Sequence, residues 1–284
     1  CLLISLCVFA GTGCGFDVFG SENGTAADAP LIIRMLDIGQ GDAILIERNG
    51  KFALIDTGDV EHRPRMAEYL RKYGVKKVDT VIITHPHGDH IGGMFSVFAN
   101  AEIRQVYDNG VPTSLSTYKT YRKILDKRKI PRRTLRGGEK IQLDGVPFTV
   151  VGPLEKSNAR GENSRQNNES IVGQLKYGNF TMLFTGDAEA EEEASILKNG
   201  ADIKSIVLKA GHHGSKTSST EEFLRAVSPK AVFISCGAGN NYGHPSRQTM
   251  KRLEKWGIDV YRTDRQGTIT LTTDGKRYEI TKEH

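Results

Sequence analysis

Val81-Ile82-Ile83-Thr84-His85-Pro86-His87-Gly88-Asp89-His90 decides how the rest of this chain is read. A β-branched apolar run of this kind reads as a buried strand. Pro86 and Gly88 forbid its regular continuation, so the histidines are expected on a loop at the strand's end. His85, His87, Asp89 and His90 place four metal-ligand side chains within six residues. Imidazole and carboxylate together suit zinc, and also manganese or iron. Three of the chain's eight histidines crowd into this turn. Burial there without partners would be costly, so a merely polar turn is the weaker reading.

Working outward, strands are expected at 31–36, 43–47 and 52–55, separated by glycine-containing turns. Asp56 then falls at a strand end, where a carboxylate could hold the histidine loop by hydrogen bonds or simply cap its own turn. Beyond a helix over 64–73 and the histidine loop, a short helix is expected at 91–98 and a strand at 103–107. Strands recur at 147–151, 170–177 and 180–184, the last running into Thr185-Gly186-Asp187. The acidic run Glu189 to Glu193 suits the first turn of a helix, where carboxylates complement the dipole. Strands at 205–208 and 231–234, a helix at 248–256 and short strands near Val260, Ile269 and Tyr278 complete the pattern. Periodicity alone gives an α/β or α+β protein, with no internal linker from Leu31 onward, so 31–284 reads as one domain.

Composition fits a globular protein: 38% of the 284 residues are hydrophobic and 26% charged. The net charge of +5 and pI near 8.9 permit a polyanionic partner without requiring one. Between Ser116 and Arg136 nine basic residues face the single acid Asp126. Lys119, Arg122, Lys123, Lys127, Arg128, Arg132 and Arg133 make this a candidate nucleic-acid patch. Tyr118 and Tyr121, expected in the same helix, could stack on bases. A solvated surface helix is the plainer alternative.

Residues 1–14 carry an apolar run too short to span a bilayer, which needs about 20 residues. It reads as part of a secretory signal, and the small residues before Cys14 resemble a bacterial lipoprotein cleavage site. The expectation is an exported protein, extracellular or lipid-anchored in the membrane through Cys14. Residues 15–30 read as a flexible linker. Cys236 stands alone in the folded body, so no disulfide framework is expected.

His-x-His-x-Asp-His after a strand resembles the signature of the metallo-β-lactamase superfamily. Asp37-Ile38-Gly39-Gln40-Gly41-Asp42, Asn168-Glu169-Ser170, Gly211-His212-His213-Gly214-Ser215, Tyr242-Gly243-His244-Pro245-Ser246 and Thr263-Asp264-Arg265-Gln266-Gly267 narrow it. Together they look like the hydrolase domain of ComEC-type competence proteins. The resemblance implies a four-layer αββα sandwich and two divalent metal ions, zinc or manganese. It implies that His85 and His87 hold the first ion and Asp89 and His90 the second. Asp187 bridges them, and His212 or His213 closes the second site, the other being free to bond a substrate oxygen. Asp89, His213 and His244 enter as catalytic residues, His244 by protonating a leaving group or binding phosphate. Asp56, Asn168 and Ser215 are expected to support the site or touch substrate.

One departure stands out. Many relatives supply a third mid-chain histidine to the first ion, but none occurs here between His90 and His212. Asn168 lies where that ligand would come from, and an amide oxygen would shift preference from zinc toward manganese.

Two ions roughly 3.5–4 Å apart can activate a bridging water and stabilise the entering and leaving oxygens of a displacement at phosphorus. No Gly-x-Ser-x-Gly elbow is present, which argues against covalent hydrolysis. The leading expectation is a phosphodiesterase or nuclease acting on DNA or RNA. The alternatives are a phosphodiesterase of small or cell-wall esters such as phosphorylcholine, a lactam hydrolase, or, from another class, a metal-free binding module. No protein partner is inferred.

Overall fold

The computed structural model describes residues 29–284. The leader, the Cys14 anchor and most of the expected linker lie outside them.

Two mixed sheets face each other. Edge to edge, the first runs Tyr278–Lys282, Ile269–Thr273, Leu31–Met35, Ala43–Arg48, Lys51–Thr57, Thr80–Ile83, Val106–Asp108 and Arg132–Thr134. The second runs Asp259–Arg262, Ala231–Ile234, Val207–Lys209, Phe180–Phe184, Val172–Tyr177, Val146–Gly152 and Lys140–Leu143.

Alternation along each strand builds three apolar cores. Ile44 and Ile46 turn into the space between the sheets, beside Ile55, Ile82, Phe148, Phe184 and Phe233. Their neighbour Leu45 points outward, where Met66, Leu70, Val97 and Tyr121 cover it. On the outer face of the second sheet Leu183, Leu208 and Val232 meet Ile196, Phe223 and Leu253. With both faces covered, the strands carry apolar residues on both sides, which is why the histidine-bearing strand reads as a continuous run. Helices Arg63–Lys72, Met94–Asn100 and Ser116–Arg128 lie on one side. Ala190–Lys198, Glu221–Val227 and Arg247–Lys255 lie on the other. The order is helix, sheet, sheet, helix: the expected αββα sandwich.

Three local expectations are corrected. Residues 116–136 do not form one basic helix. The helix ends at Arg128, Lys129 takes a left-handed turn at φ 54°, and after Pro131 the chain becomes the edge strand Arg132–Thr134. A proline so close behind a helical stretch ends it. Tyr118 and Tyr121 are buried on the inner stripe of that helix, and the Tyr121 hydroxyl donates to Asp108 at 3.2 Å, so neither presents a face for a base. Lastly, Glu162–Asn168 forms a helix where only a strand approach was read.

Candidate metal centre

Chain segments from both sheets converge at one rim. Lys51–Thr57 carries Asp56 near its end, and Thr80–Ile83 runs into Thr84 and His85. Phe180–Phe184 precedes Asp187, and Val207–Lys209 leads into the turn of His212 and His213. The expected loop is only partly a loop, because Gly88–Ile91 coils into a helical turn that carries Asp89 and His90. Gly41 lets the chain pass close over that turn: its φ is 140°, and a Cβ there would strike the Asp89 carbonyl.

The residues read from the sequence meet around Asp187. Nε2 of His90 lies 3.2 Å from its Oδ1, and Nε2 of His213 lies 3.5 Å from its Oδ2 and 3.3 Å from Oδ2 of Asp89. Asp89, His90, Asp187 and His213 each offer one ligand atom, all within 4.8 Å of one another. On the other flank, Nε2 of His85 is 2.9 Å from Nδ1 of His87 and 3.9 Å from Oδ2 of Asp187. Nε2 of His212 lies 3.8 Å from that same oxygen. Buried His213 joins the Asp89 and His90 group, while His212 and His213 both approach Oδ2 of Asp187.

The outer nitrogens are pinned. His90 Nδ1 meets Asp56 Oδ2 at 2.8 Å, and Asp56 also accepts from the Thr84 amide and hydroxyl at 2.8 and 2.7 Å. His213 Nδ1 donates to the Ser235 carbonyl at 3.0 Å, which leaves its Nε2 bare in the neutral ring. Ser170 accepts from the Asp187 amide at 3.1 Å and sits 3.3 Å from His85 Nδ1. Asp56, His212 and His213 all hold positive φ, a strained conformation that persists only where the surroundings over-determine it.

Burial and charge compete throughout this rim. Burial favours neutral Asp187, but His213, His90 and His212 outweigh it and hold the carboxyl well below the usual range. Burial likewise opposes charge on His90, yet Asp187, Asp56 and Asp89 raise it well above an ordinary imidazole. His85 goes the other way, pushed down by burial and by His90.

Asp89, His90, Asp187 and His213 fit a divalent cation. His87 Nε2, His90 Nε2, His213 Nε2 and Asp187 Oδ1 are buried with no hydrogen-bond partner among the described residues. His90, His213, Asp89 and Asp187 crowd their ligand atoms together with only one another for partners, an arrangement that a cation would satisfy.

Asn168 does not supply the missing ligand. Its Oδ1 accepts from the Glu189 and Glu192 amides at 3.1 Å each, clamping the start of helix Ala190–Lys198. Its Nδ2 donates to the Ser164 carbonyl at 3.0 Å and to Glu189 at 3.3 Å. The Ser215 hydroxyl lies 3.0 Å from that of Thr217, inside the turn that carries the two histidines.

Lys209 went unread in the sequence, and Asp42 and Glu189 were read without a place at this centre. Lys209 is fully buried; its ammonium pairs with Asp42 and donates to the Gly186 carbonyl at 2.7 Å. Asp42 also lies 3.3 Å from His213 Nδ1. A lysine closing an apolar strand just before Gly211-His212-His213 was the signal. Glu189, read as part of a helix start, meets His212 Nδ1 at 3.2 Å.

A cleft of about 840 Å³ opens over the rim, lined by His87, Asp89, Asp187, His212, His213 and His244 among others. The His244 ring stands 5.3 Å from that of His212, and its Nδ1 is buried without a hydrogen-bond partner among the described residues. Burial and the two neighbouring imidazoles lower its pKa to about 4.

Residues 36–238 match the family model of the Metallo-beta-lactamase superfamily. The chain belongs to that superfamily. It is 30% identical over 259 residues to ComE operon protein 3 of Bacillus subtilis, covering 84% of this chain and 32% of that protein. It is 31% identical over 240 residues to Competence protein ComA of Neisseria gonorrhoeae, covering 84% of this chain and 31% of that one. The chain thus spans about a third of the length of these relatives. The metallo-β-lactamase fold protein YhfI of Bacillus subtilis superposes with a TM-score of 0.56 at 11% identity, over 86% of this chain and all of that one. The fold normally binds divalent metals.

The basic patch is divided. Lys119, Lys123 and Lys127 are exposed and recur every fourth residue, which aligns them on one helix face. Arg122 donates to the Tyr118 hydroxyl at 3.3 Å and Arg128 to the Phe98 carbonyl at 2.5 Å. Arg132 is bound by the buried Asp108 through two contacts, one at 2.6 Å, and Arg133 meets Glu139 at 3.4 Å. Four of the seven are therefore engaged within the protein.

Proposed function

We propose that this metallo-β-lactamase-fold hydrolase is a phosphodiesterase that cleaves a nucleic-acid strand. The observation that carries the reading is the clustering of Asp89, His90, Asp187 and His213 ligand atoms beneath an open cleft lined by His87, Asp89, Asp187, His212 and His213. His85, His87 and Asp187, with His212 opposite, would hold one divalent ion, and Asp89, His90, Asp187 and His213 the other. Bound ions there would supply an activated water and neutralise charge on a phosphoryl oxygen.

The chain's own residues do the rest. Asp56 fixes the His90 ring and Ser235 fixes that of His213, so both Nε2 atoms aim inward without reorganising. His244 faces the cleft with a free Nδ1, suited to bond an oxygen of the leaving group. Lys209 neutralises Asp42 behind His213, so the carboxylates of the rim need not all be balanced by metal. Leu115 lines the cleft and immediately precedes the helix that carries Lys119, Lys123 and Lys127. A strand whose reacting phosphate lies in the cleft can lay its neighbouring phosphates along that stripe.

A metal-free binding module is disfavoured because it would leave a cluster of four ligand-type side chains at the cleft without a use. A small-ester phosphodiesterase retains one supporting observation: no lysine or arginine lines the cleft itself. Assaying the protein with zinc or manganese on single-stranded DNA, double-stranded DNA and a phosphorylcholine ester decides between them. Cleavage of DNA supports the proposal, and turnover confined to the choline ester refutes it.

A further inference from the structure

Among the described residues, four large apolar side chains are exposed: Val60, Leu115, Tyr242 and Trp256. Three of them, Val60, Leu115 and Tyr242, line the cleft over the metal centre. Tyr242 is the extreme case at 72% exposed. Exposed apolar side chains gathered at one cleft mark a binding surface rather than chance.

Tyr242 is held there by a rigid loop. The Asn240 Oδ1 accepts from the Tyr242 amide at 3.2 Å and the His244 amide at 3.0 Å. Its Nδ2 donates to the carbonyls of His244 at 2.6 Å and Gly237 at 2.9 Å. The Tyr242 ring then stacks on His244, centroids 5.8 Å apart and planes 23° apart. His244 in turn lies 6.1 Å from His213, at 29°. A column of near-parallel rings thus rises from a buried metal-site histidine to an open aromatic face in solvent.

We infer that Tyr242 is the stacking platform for the nucleobase next to the scissile phosphate, so that the site takes an unpaired base of a single strand. The inference rests on the phosphodiesterase reading above and adds what the cleft recognises. The platform is one flat face over a column, not a cage of several rings around a cation, which disfavours a quaternary ammonium ligand. With no lysine or arginine lining the cleft, affinity beside the metals must come from stacking, which every base can supply.

The test compares a decathymidylate with the same strand made abasic, both cleaved by metal-loaded protein, as the ratio of kcat/KM. Wild type is expected to prefer the normal strand roughly tenfold. Tyr242→Ala should erase that preference mainly through KM, and Tyr242→Phe should restore it. A preference unchanged in Tyr242→Ala overturns the inference. So does a wild-type ratio near one, which leaves phosphodiester cleavage itself standing. A selective loss of choline-ester turnover in Tyr242→Ala overturns it in favour of a cation site. Failure of the wild type to cut either strand overturns the phosphodiesterase reading beneath it.

Discussion

Oδ2 of Asp56 lies 2.8 Å from Nδ1 of His90, and the opposite nitrogen of that ring lies 3.2 Å from Asp187. One carboxylate thus fixes the ring that another carboxylate shares with the cleft. Since Asp56 touches no cleft atom of its own, Asp56→Ala should act through metal affinity. A loss of roughly 10–100-fold is expected, read by competition with a chromophoric chelator. Unchanged affinity would mean that the His90 ring is held by packing alone.

Lys209 and Asp42 form an ion pair within the protein interior. Removing one partner strands the other charge, so Lys209→Met should cost about 3–5 kcal/mol in denaturant unfolding. Adding Asp42→Asn to Lys209→Met should recover part of that loss. If the single variant unfolds like wild type, the pair is not buried as described.

Glu192 is buried beside Gly152, and burial raises its carboxyl to about 8 from an ordinary 4.5. The folded state therefore keeps a proton that the unfolded chain releases. Stability from this group falls as pH rises from about 4.5 to about 8, then levels. Glu192→Gln should raise the Tm clearly at pH 8 and change it little near pH 4.5. Equal effects at both pH values would contradict the sign.

The divided patch gives a sharper DNA test than the whole basic stretch. Replacing Lys119, Lys123 and Lys127 by Glu should lower the slope of log affinity against log salt by about 2, at roughly 0.7 per single-strand phosphate. Arg132→Glu should instead destabilise the fold, because it sets a second carboxylate against buried Asp108. An unaltered slope in the triple variant would remove the helix from the binding surface.

How much of this was legible follows from what side chains announce locally. The Val81–Ile83 run and the His85 to His90 turn carry their character in adjacent residues, so strand and turn were readable together. The difference between His212 and His213 was not, because both sit in one strained turn and only contacts made across the fold, His213 with Asp89 and with the Ser235 carbonyl, set them apart. Lys209 closes an apolar strand, and a lone lysine there looks like the first solvated residue until Asp42 is folded onto it. The tyrosines of the basic helix misled for the same reason: their stripe faces the sheet, and charge on the outer face hid it. Asn168 was placed correctly before a strand, but its amide is consumed by the helix start of Glu189 and Glu192, which sequence spacing does not reveal.

The central claim is that the atoms gathered around Asp187 hold metal and that this metal carries phosphodiester hydrolysis. Chelated protein should be titrated with zinc and with manganese while bound metal and bis-p-nitrophenyl phosphate turnover are followed together. Two equivalents per chain should bind, and activity lost on chelation should return with them. Asp187→Ala should lose both metal and turnover by several orders of magnitude. Turnover that persists in the chelated protein, or in Asp187→Ala, would contradict the account.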